Sequence, residues 1–126
     1  MLGSAPLTTM LPVVDLDRAR HFYQDRLGLT PIGDTADGKF AFQCGGATLA
    51  LFPRPGGTKA EHTAVSFRVH DIAAEIADLE SRGVVFEDYD LPGLKTVGHV
   101  CVLGSEKAAW FKDTEGNYLC IHEDLA

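Results

Sequence analysis

Residues 9–28 read TMLPVVDLDRARHFYQDRLG, and this stretch decides the fold. Its first six residues, 9–14, are mostly apolar and β-branched, which predicts a strand. Asp15 follows as a helix N-cap, because its carboxylate can accept from the free N–H groups of a first helical turn. Apolar residues then recur at helical spacing up to Leu27, and Gly28 stands where a left-handed C-terminal cap is expected. The stretch therefore predicts a strand, a capped helix and a glycine stop.

The same arrangement returns in the second half of the chain, where residues 65–83 read VSFRVHDIAAEIADLESRG. Asp71 lies 56 positions after Asp15 and again follows an apolar segment, residues 62–69. A stripe of apolar side chains at helical spacing comes next and ends at Gly83; its members are Ile72, Ile76 and Leu79. Because the order of elements repeats, the chain is best interpreted as two copies of one module.

Further apolar segments follow each helix and give each half the order β-α-β-β-β. They are residues 30–33, 40–44 and 47–52 in the first half, and 84–89, 97–103, 108–112 and 118–122 in the second. We therefore predict one α+β domain, with a first module at 8–54, a linker at 55–60 and a second module at 61–123. Since one helix covers only one face of a sheet, the modules should form a curled mixed sheet whose other face lines a cavity.

Composition excludes several classes of protein. The chain has 126 residues, 45% of them hydrophobic and 23% charged, which is ordinary for one globular domain rather than a disordered, collagen-like or membrane-spanning chain. Eleven basic against 18 acidic residues give a net charge of −7, which disfavours nucleic-acid binding. The N-terminus carries no signal-peptide pattern, and three cysteines without a C-x-x-C pair indicate reduced thiols and a cytoplasmic location.

Three strings together resemble one known family. They are the strand–Asp–helix string of residues 11–28 with its Phe22-Tyr23 pair, the string FRVHDI of residues 67–72, and the turn WFKDTEGN of residues 110–117. This combination resembles the vicinal oxygen chelate superfamily, which includes glyoxalase I, bleomycin-resistance proteins, fosfomycin-resistance proteins and extradiol dioxygenases. The resemblance implies paired βαβββ modules, and it implies a homodimer with pockets at or near the interface.

The resemblance also implies where a metal would be held in metal-dependent members. Four ligands come from the first and last strand of each module, and the matching positions in this sequence are Thr8, Ala50, Ala64 and Cys120. Two alanines offer no donor atom, and a threonine hydroxyl with one thiolate does not make a catalytic metal site. We therefore expect no metal at the usual positions and no cofactor.

A shifted metal site is the alternative. His62 precedes Ala64 by two residues and His122 follows Cys120 by two, so alternation along strands would put these side chains on one face. The first and last strands of a module are expected to run antiparallel beside each other, so that if Ala64 faces Cys120, His62 should face His122. Together with Cys120, the two histidines could then hold a divalent metal.

Other candidates concern ligand binding and catalysis. By their alternation relative to the four positions above, Met10, Phe52 and Tyr118 are predicted to face the cavity, and Trp110, Ala64 and Cys120 complete the candidate ligand-binding set. His99 lies in a glycine-punctuated segment that is expected to overhang the cavity mouth, so His99 and Tyr118 are candidates for an acid or a base.

The function favoured by these observations is the binding of a small organic molecule in a partly apolar cavity without a standard metal site. The first alternative is a metal-dependent lyase or dioxygenase of the glyoxalase group with the rearranged His/Cys site. A metal-free enzyme using His99 or Tyr118 is the second. In each case the expected partners are a small molecule and a second copy of the chain, with no nucleic acid and no membrane.

Overall fold

The computed structural model describes residues 1–125, which divide into two compact units. The first unit is Met1–Lys59 together with Thr114–Gly116. The second is Ala60–Asp113 together with the chain from Asn117 onward. In the described part of the chain, no helix has both the length and the apolar character needed to cross a membrane.

The first unit is a four-stranded mixed sheet with one helix. Its order in the sheet is β1-β4-β3-β2, with β1 parallel to β4 and the other neighbours antiparallel. The elements are β1 (Thr8–Val13), α1 (Leu16–His21), β2 (Thr30–Asp34), β3 (Phe40–Cys44) and β4 (Ala47–Pro53).

The second unit repeats this topology and adds a short hairpin. Its main sheet has the order β5-β10-β9-β8, with β5 parallel to β10, and β6 pairs only with β7. The elements are β5 (Thr63–Arg68), α2 (Ile72–Ser81), β6 (Asp90–Leu91), β7 (Leu94–Lys95), β8 (Cys101–Leu103), β9 (Glu106–Lys112) and β10 (Tyr118–Asp124). The predicted α+β fold with two βαβββ modules is confirmed, whereas the cavity enclosed by a curled sheet stays a prediction.

The predicted helix boundaries are confirmed by hydrogen bonds. The Asp15 carboxylate accepts from the backbone N–H of Arg18 at 3.0 Å, and the Asp71 carboxylate accepts from that of Ala74 at 3.1 Å. Gly28 and Gly83 have φ of 76° and 87°, the left-handed conformation expected at a helix stop. The first helix differs in one respect from the expectation, because after α1 it widens into a π-helical segment at Phe22–Arg26.

Each helix packs its apolar side on one face of its sheet. In the second unit the predicted stripe Ile72, Ile76 and Leu79 is buried, and so are the β10 residues Leu119 and Ile121. Glu123 lies two residues after Ile121 and therefore points to the same face of β10 as Leu119 and Ile121. Its carboxylate accepts from the backbone N–H of Ile72 at 2.8 Å, so this face of β10 is the one that packs against α2. The even-numbered residues of β10 therefore lie on the opposite face.

Two predicted strands are wrong in the second unit. Residues 84–89 form no strand, although an isolated bridge joins Phe86 to Phe111 of β9. Residues 97–103 form a strand only over Cys101–Leu103, because the chain turns between Val97 and Val100 and His99 takes a φ of 71°. The apolar β-branched residues of this segment predict a strand, but a turn that contains a glycine forms there instead.

The antiparallel pairing expected for the first and last strands of a module is also wrong. In the parallel pair, Tyr118 lies opposite Thr63 and His122 lies opposite Arg68. His62 precedes the start of β5 and His122 lies opposite Arg68, six residues later, so His122 lies roughly 20 Å farther along the strand direction at about 3.3 Å per residue. The expected face-to-face placement of His62 and His122 is therefore not formed.

A buried carboxylate ties the first unit together. Glu115, in the turn of Thr114–Gly116, accepts from the backbone N–H groups of Val14 and Asp15 at 3.0 and 2.9 Å and forms a two-pronged pair with the Arg18 guanidinium at 2.8 and 3.0 Å. Burial alone raises the pKa of Glu115, but the hydrogen bonds from Arg18, Asp15, Thr114 and Val14 outweigh it and hold the pKa at about 2. The charged carboxylate therefore stabilises the start of α1.

This pairing predicts a pH-dependent stability. Because the folded pKa of Glu115 lies below the ordinary value of 4.5, its contribution is present above that value and is lost as the pH falls towards 2. Glu115→Gln should lower the free energy of unfolding at neutral pH by about 1–3 kcal/mol, as expected for a lost charged hydrogen bond. Urea unfolding of both proteins at neutral and acid pH measures the difference, which should shrink at acid pH. Glu61→Gln, at an exposed position, is the control, and an equal loss in both variants would contradict the assignment.

Candidate ligand-binding face of the second sheet

The face of the second sheet that lies away from α2 carries most of the candidate site residues of this unit. Cross-strand pairs on β9 and β10 form successive rows there, for example Trp110 opposite Cys120 and Lys112 opposite Tyr118. We call this surface the open face. Its β9 and β10 side chains are Glu106, Ala108, Trp110, Lys112, Tyr118, Cys120, His122 and Asp124.

One end of the open face is aromatic. The indole Nε1–H of Trp110 donates to the hydroxyl of Thr63 at 3.1 Å. The Tyr89 ring meets the indole edge to face, with centroids 5.7 Å apart and planes at 76°. Trp110 remains half-buried, so its orientation is fixed on two sides while part of the ring stays accessible.

A lysine borders this aromatic end. Lys112 Nζ lies 4.9 Å from the centroid of the Tyr118 ring and 3.6 Å from a carboxylate oxygen of Glu87. The hydrogen bond with Tyr118, followed by the charges of Tyr118 and Glu87, raises the pKa of Lys112. The lysine is thus a permanent cation next to the Tyr118 ring at neutral pH.

The middle of the open face is a buried thiol. Cys120 is 5% exposed, and its Sγ contacts the carbonyl oxygen of Ile121 at 3.4 Å. Burial raises the pKa of this thiol, so it is protonated at neutral pH. A protonated and buried thiol is neither a nucleophile nor a ready metal ligand.

The other end of the open face is polar. Glu106, His122 and Asp124 each offer one donor atom, and these atoms lie within 4.8 Å of one another. The His122 Nδ1 is 2.6 Å from the Ser66 hydroxyl, and the Asp124 carboxylate lies 3.8 Å from the Arg68 guanidinium. The structure therefore brings His122 together with two carboxylates, and His62 is not part of this group.

The positions implied for metal ligands do not fit a metal. In the first unit Thr8 is exposed and Ala50 is buried, and in the second unit Ala64 is exposed while Cys120 is the buried thiol described above. Neither pair offers the imidazole and carboxylate donors that a divalent ion requires. Within each unit, the side chains at these positions cannot supply a metal site.

The remaining candidates lie in the first unit or away from the open face. Met10 and Phe52 lie on the face of the first sheet opposite Leu11, and Met10 is 44% exposed. His99 instead packs beside α2, where Glu80 lies 3.4 Å from its Nε2.

Sequence reasoning missed several residues of this face. Alternation counted from Trp110 and Cys120 would have found Glu106, Lys112 and Asp124, because they occupy every second position on the same strands. Tyr89 could not be found in this way, since it belongs to an irregular segment whose side chains follow no strand period.

The chain belongs to the Glyoxalase/Bleomycin resistance protein/Dioxygenase superfamily, whose family model matches residues 6–121. No curated protein gives a significant match. Among solved structures it is similar to TnmS3, an antibiotic binding protein from Streptomyces sp. CB03234, with 24% identity, 98% of both chains covered and a TM-score of 0.76.

Two further structures share the fold. A superfamily member from Sphaerobacter thermophilus is 21% identical over 98% of this chain and 100% of that chain, with a TM-score of 0.77. A lactoylglutathione lyase from Agrobacterium tumefaciens is 23% identical over 95% and 93%, with a TM-score of 0.67. At such identities these likenesses show the fold alone, so the function has to be argued from the residues.

Proposed function

We propose that this protein binds a flat, largely apolar organic molecule against the aromatic end of the open face. The observation that carries the proposal is Trp110, whose ring is fixed by Thr63 and Tyr89 and still partly accessible. A pre-positioned aromatic surface loses little freedom when a flat ligand stacks on it. Lys112 beside Tyr118 adds a cation that would favour ligands with an acidic or electron-rich group.

The proposal makes the protein a binder that works without a metal. Two of the four implied ligand positions are alanines and Cys120 is a protonated thiol, so chemistry that needs a Lewis acid has no support there. TnmS3, with the same fold, is an antibiotic binding protein, and this precedent supports binding as the role of the face.

A ligand screen tests the proposal. The sequence contains one tryptophan, so quenching of its emission reports directly on Trp110. Planar aromatic compounds, including antibiotics, should quench this emission, and Trp110→Leu should weaken the binding of any hit by about 1–3 kcal/mol, the value of one stacking contact, when measured by calorimetry.

Val102→Ala is the matched control for this experiment. Val102 is 62% exposed on β8 and pairs with Lys107, which alternates away from the open face. It should leave the affinity unchanged. Equal affinity of Trp110→Leu and the native protein would refute the site, and recovery of a chemically altered ligand would refute a pure binder.

A metal-dependent enzyme is the second candidate function, and the group Glu106, His122 and Asp124 favours it. One imidazole and two carboxylates match the donors used by divalent ions of the first transition row. This set replaces the His62, Cys120 and His122 set, because the parallel pairing removes His62.

Metal content decides between the two candidates. After dialysis against zinc, nickel or manganese, the second candidate requires close to one equivalent of bound ion, and it requires that His122→Ala abolish the binding. His21→Ala, which changes an exposed histidine on α1, is the control. A stoichiometry below about a tenth in the native protein would eliminate this candidate.

We also propose a homodimer in the cytoplasm, as the family resemblance implies. Large apolar side chains remain exposed in this chain, among them Ile32 at 60%, Val85 at 80% and Val97 at 75%. Exposed apolar side chains of this kind favour association. Light scattering during gel filtration should give twice the mass of one chain, and a single-chain mass at micromolar concentration would contradict the proposal.

A further inference from the structure

His99 has a backbone conformation that needs an explanation. Its φ is 71°, and among residues 1–125 it is the only residue other than glycine with a positive φ. Backbone hydrogen bonds between Val97 and Val100, at 2.8 and 3.1 Å, close the tight turn that contains His99, and the contacts of its side chain add to this restraint. Gly98, the residue before it, has a φ of 58° and adopts this conformation without steric cost, whereas a histidine does so at some cost.

Three groups hold the imidazole of His99. Its Nδ1 lies 3.0 Å from a carboxylate oxygen of Asp88, and its Nε2 lies 3.4 Å from one of Glu80 on α2. The ring stacks on Phe86, with centroids 5.9 Å apart and planes at 29°. Both nitrogens therefore face acceptors, and only the imidazolium form has two N–H groups to donate to them.

These contacts lead to the aromatic end of the open face. The carboxylate oxygen of Asp88 that meets His99 also accepts from the hydroxyl of Thr96 at 3.1 Å. The Thr96 hydroxyl in turn accepts from the backbone N–H of Tyr89 at 2.9 Å, and the Thr96 N–H donates to the Tyr89 carbonyl at 2.9 Å. Tyr89 is the residue whose ring meets Trp110 edge to face. An unbroken set of contacts thus runs from His99 through Asp88 and Thr96 to Tyr89.

We propose that His99 in its imidazolium form is a positioning residue that holds Tyr89 against Trp110, so that ligand affinity depends on the protonation of this histidine. The charged groups that face it are Glu80 from α2 and Asp88 from its own segment, while Phe86 provides an apolar third side. Neighbouring Glu87 is directed towards Lys112 instead.

Loss of a proton from the imidazole leaves one of its two nitrogens without a hydrogen. That nitrogen can no longer donate to its carboxylate, so the contacts that hold the Asp88–Tyr89 segment weaken. The effect on affinity rests on the proposed ligand-binding function, but the effect on Tyr89 does not.

The ligand-free protein tests the positioning role directly. We expect the emission maximum and anisotropy of Trp110, and the NMR signals of the Tyr89 ring, to differ between a lower pH at which His99 is an imidazolium and an upper pH at which it is neutral. His99→Asn should abolish this pH dependence and resemble the native protein at the upper pH throughout, because asparagine tolerates a positive φ but cannot donate to both carboxylates. His21→Asn, at an exposed histidine paired with Asp25, is the matched control and should keep the native profile.

Glu80→Gln provides a gentler second variant, since its side chain is 46% exposed and its loss leaves the turn intact. It should reduce the amplitude of the Trp110 response. A pH profile in His99→Asn or Glu80→Gln identical to that of the native protein would overturn the proposal, provided that circular dichroism shows both variants folded.

Affinity is measured separately, with 8-anilinonaphthalene-1-sulfonate as the aromatic probe. Its dissociation constant should rise roughly three- to tenfold in His99→Asn at the lower pH, a fraction of the value of a charged hydrogen bond. If the probe does not bind the native protein while Trp110 still responds to His99, the ligand-binding function fails and the positioning role stands. If the probe binds and Trp110→Leu weakens it but His99→Asn does not, the ligand site stands and the positioning role fails.

Discussion

The parallel pairing of the first and last strands in each unit is the constraint on which the rest of the structure depends. β1 lies parallel to β4, and β5 lies parallel to β10. Parallel neighbours cannot be joined by a tight turn, so each unit needs a long connection, and a helix begins that connection immediately after the first strand. The helix covers one face of the sheet, and the other face is turned away from it. The open face of the second unit therefore follows from the direction of the strands and does not depend on which residues lie on it.

The strand–Asp–helix–Gly strings were enough to predict this architecture because each boundary has a local physical cause. Asp15 and Asp71 cap their helices through their own side chains, and Gly28 and Gly83 adopt the left-handed conformation that ends them. Such signals act within a few residues and can be recognised in a sequence. Strand direction is different, because it depends on pairing between residues far apart in the chain. The expected antiparallel pairing, and with it the His62–His122 site, failed for that reason.

The same distinction explains how much of the candidate site could be predicted. Trp110, Tyr118, Cys120 and His122 were recognised because they follow the two-residue period of regular strands. Tyr89 and the contacts of His99 were not, because these two residues lie outside the regular strands and their surroundings include side-chain hydrogen bonds and a ring stack that follow no strand period. The Glu115 network escaped for a related reason, since nothing in the local turn Thr114–Gly116 indicates a partner as distant as Arg18.

The open face combines two chemistries that are separated by Cys120. On one side Trp110, Tyr89 and Tyr118 provide flat apolar surface, and on the other Glu106, His122 and Asp124 provide charged donors. The aromatic side is already organised, because each ring has a fixed neighbour, whereas the polar donors are partly engaged by Ser66 and Arg68. A ligand that stacks on fixed rings loses little conformational freedom, but an ion on the polar side would first have to displace those contacts. The balance of these costs favours binding at the aromatic end over metal chemistry at the polar end.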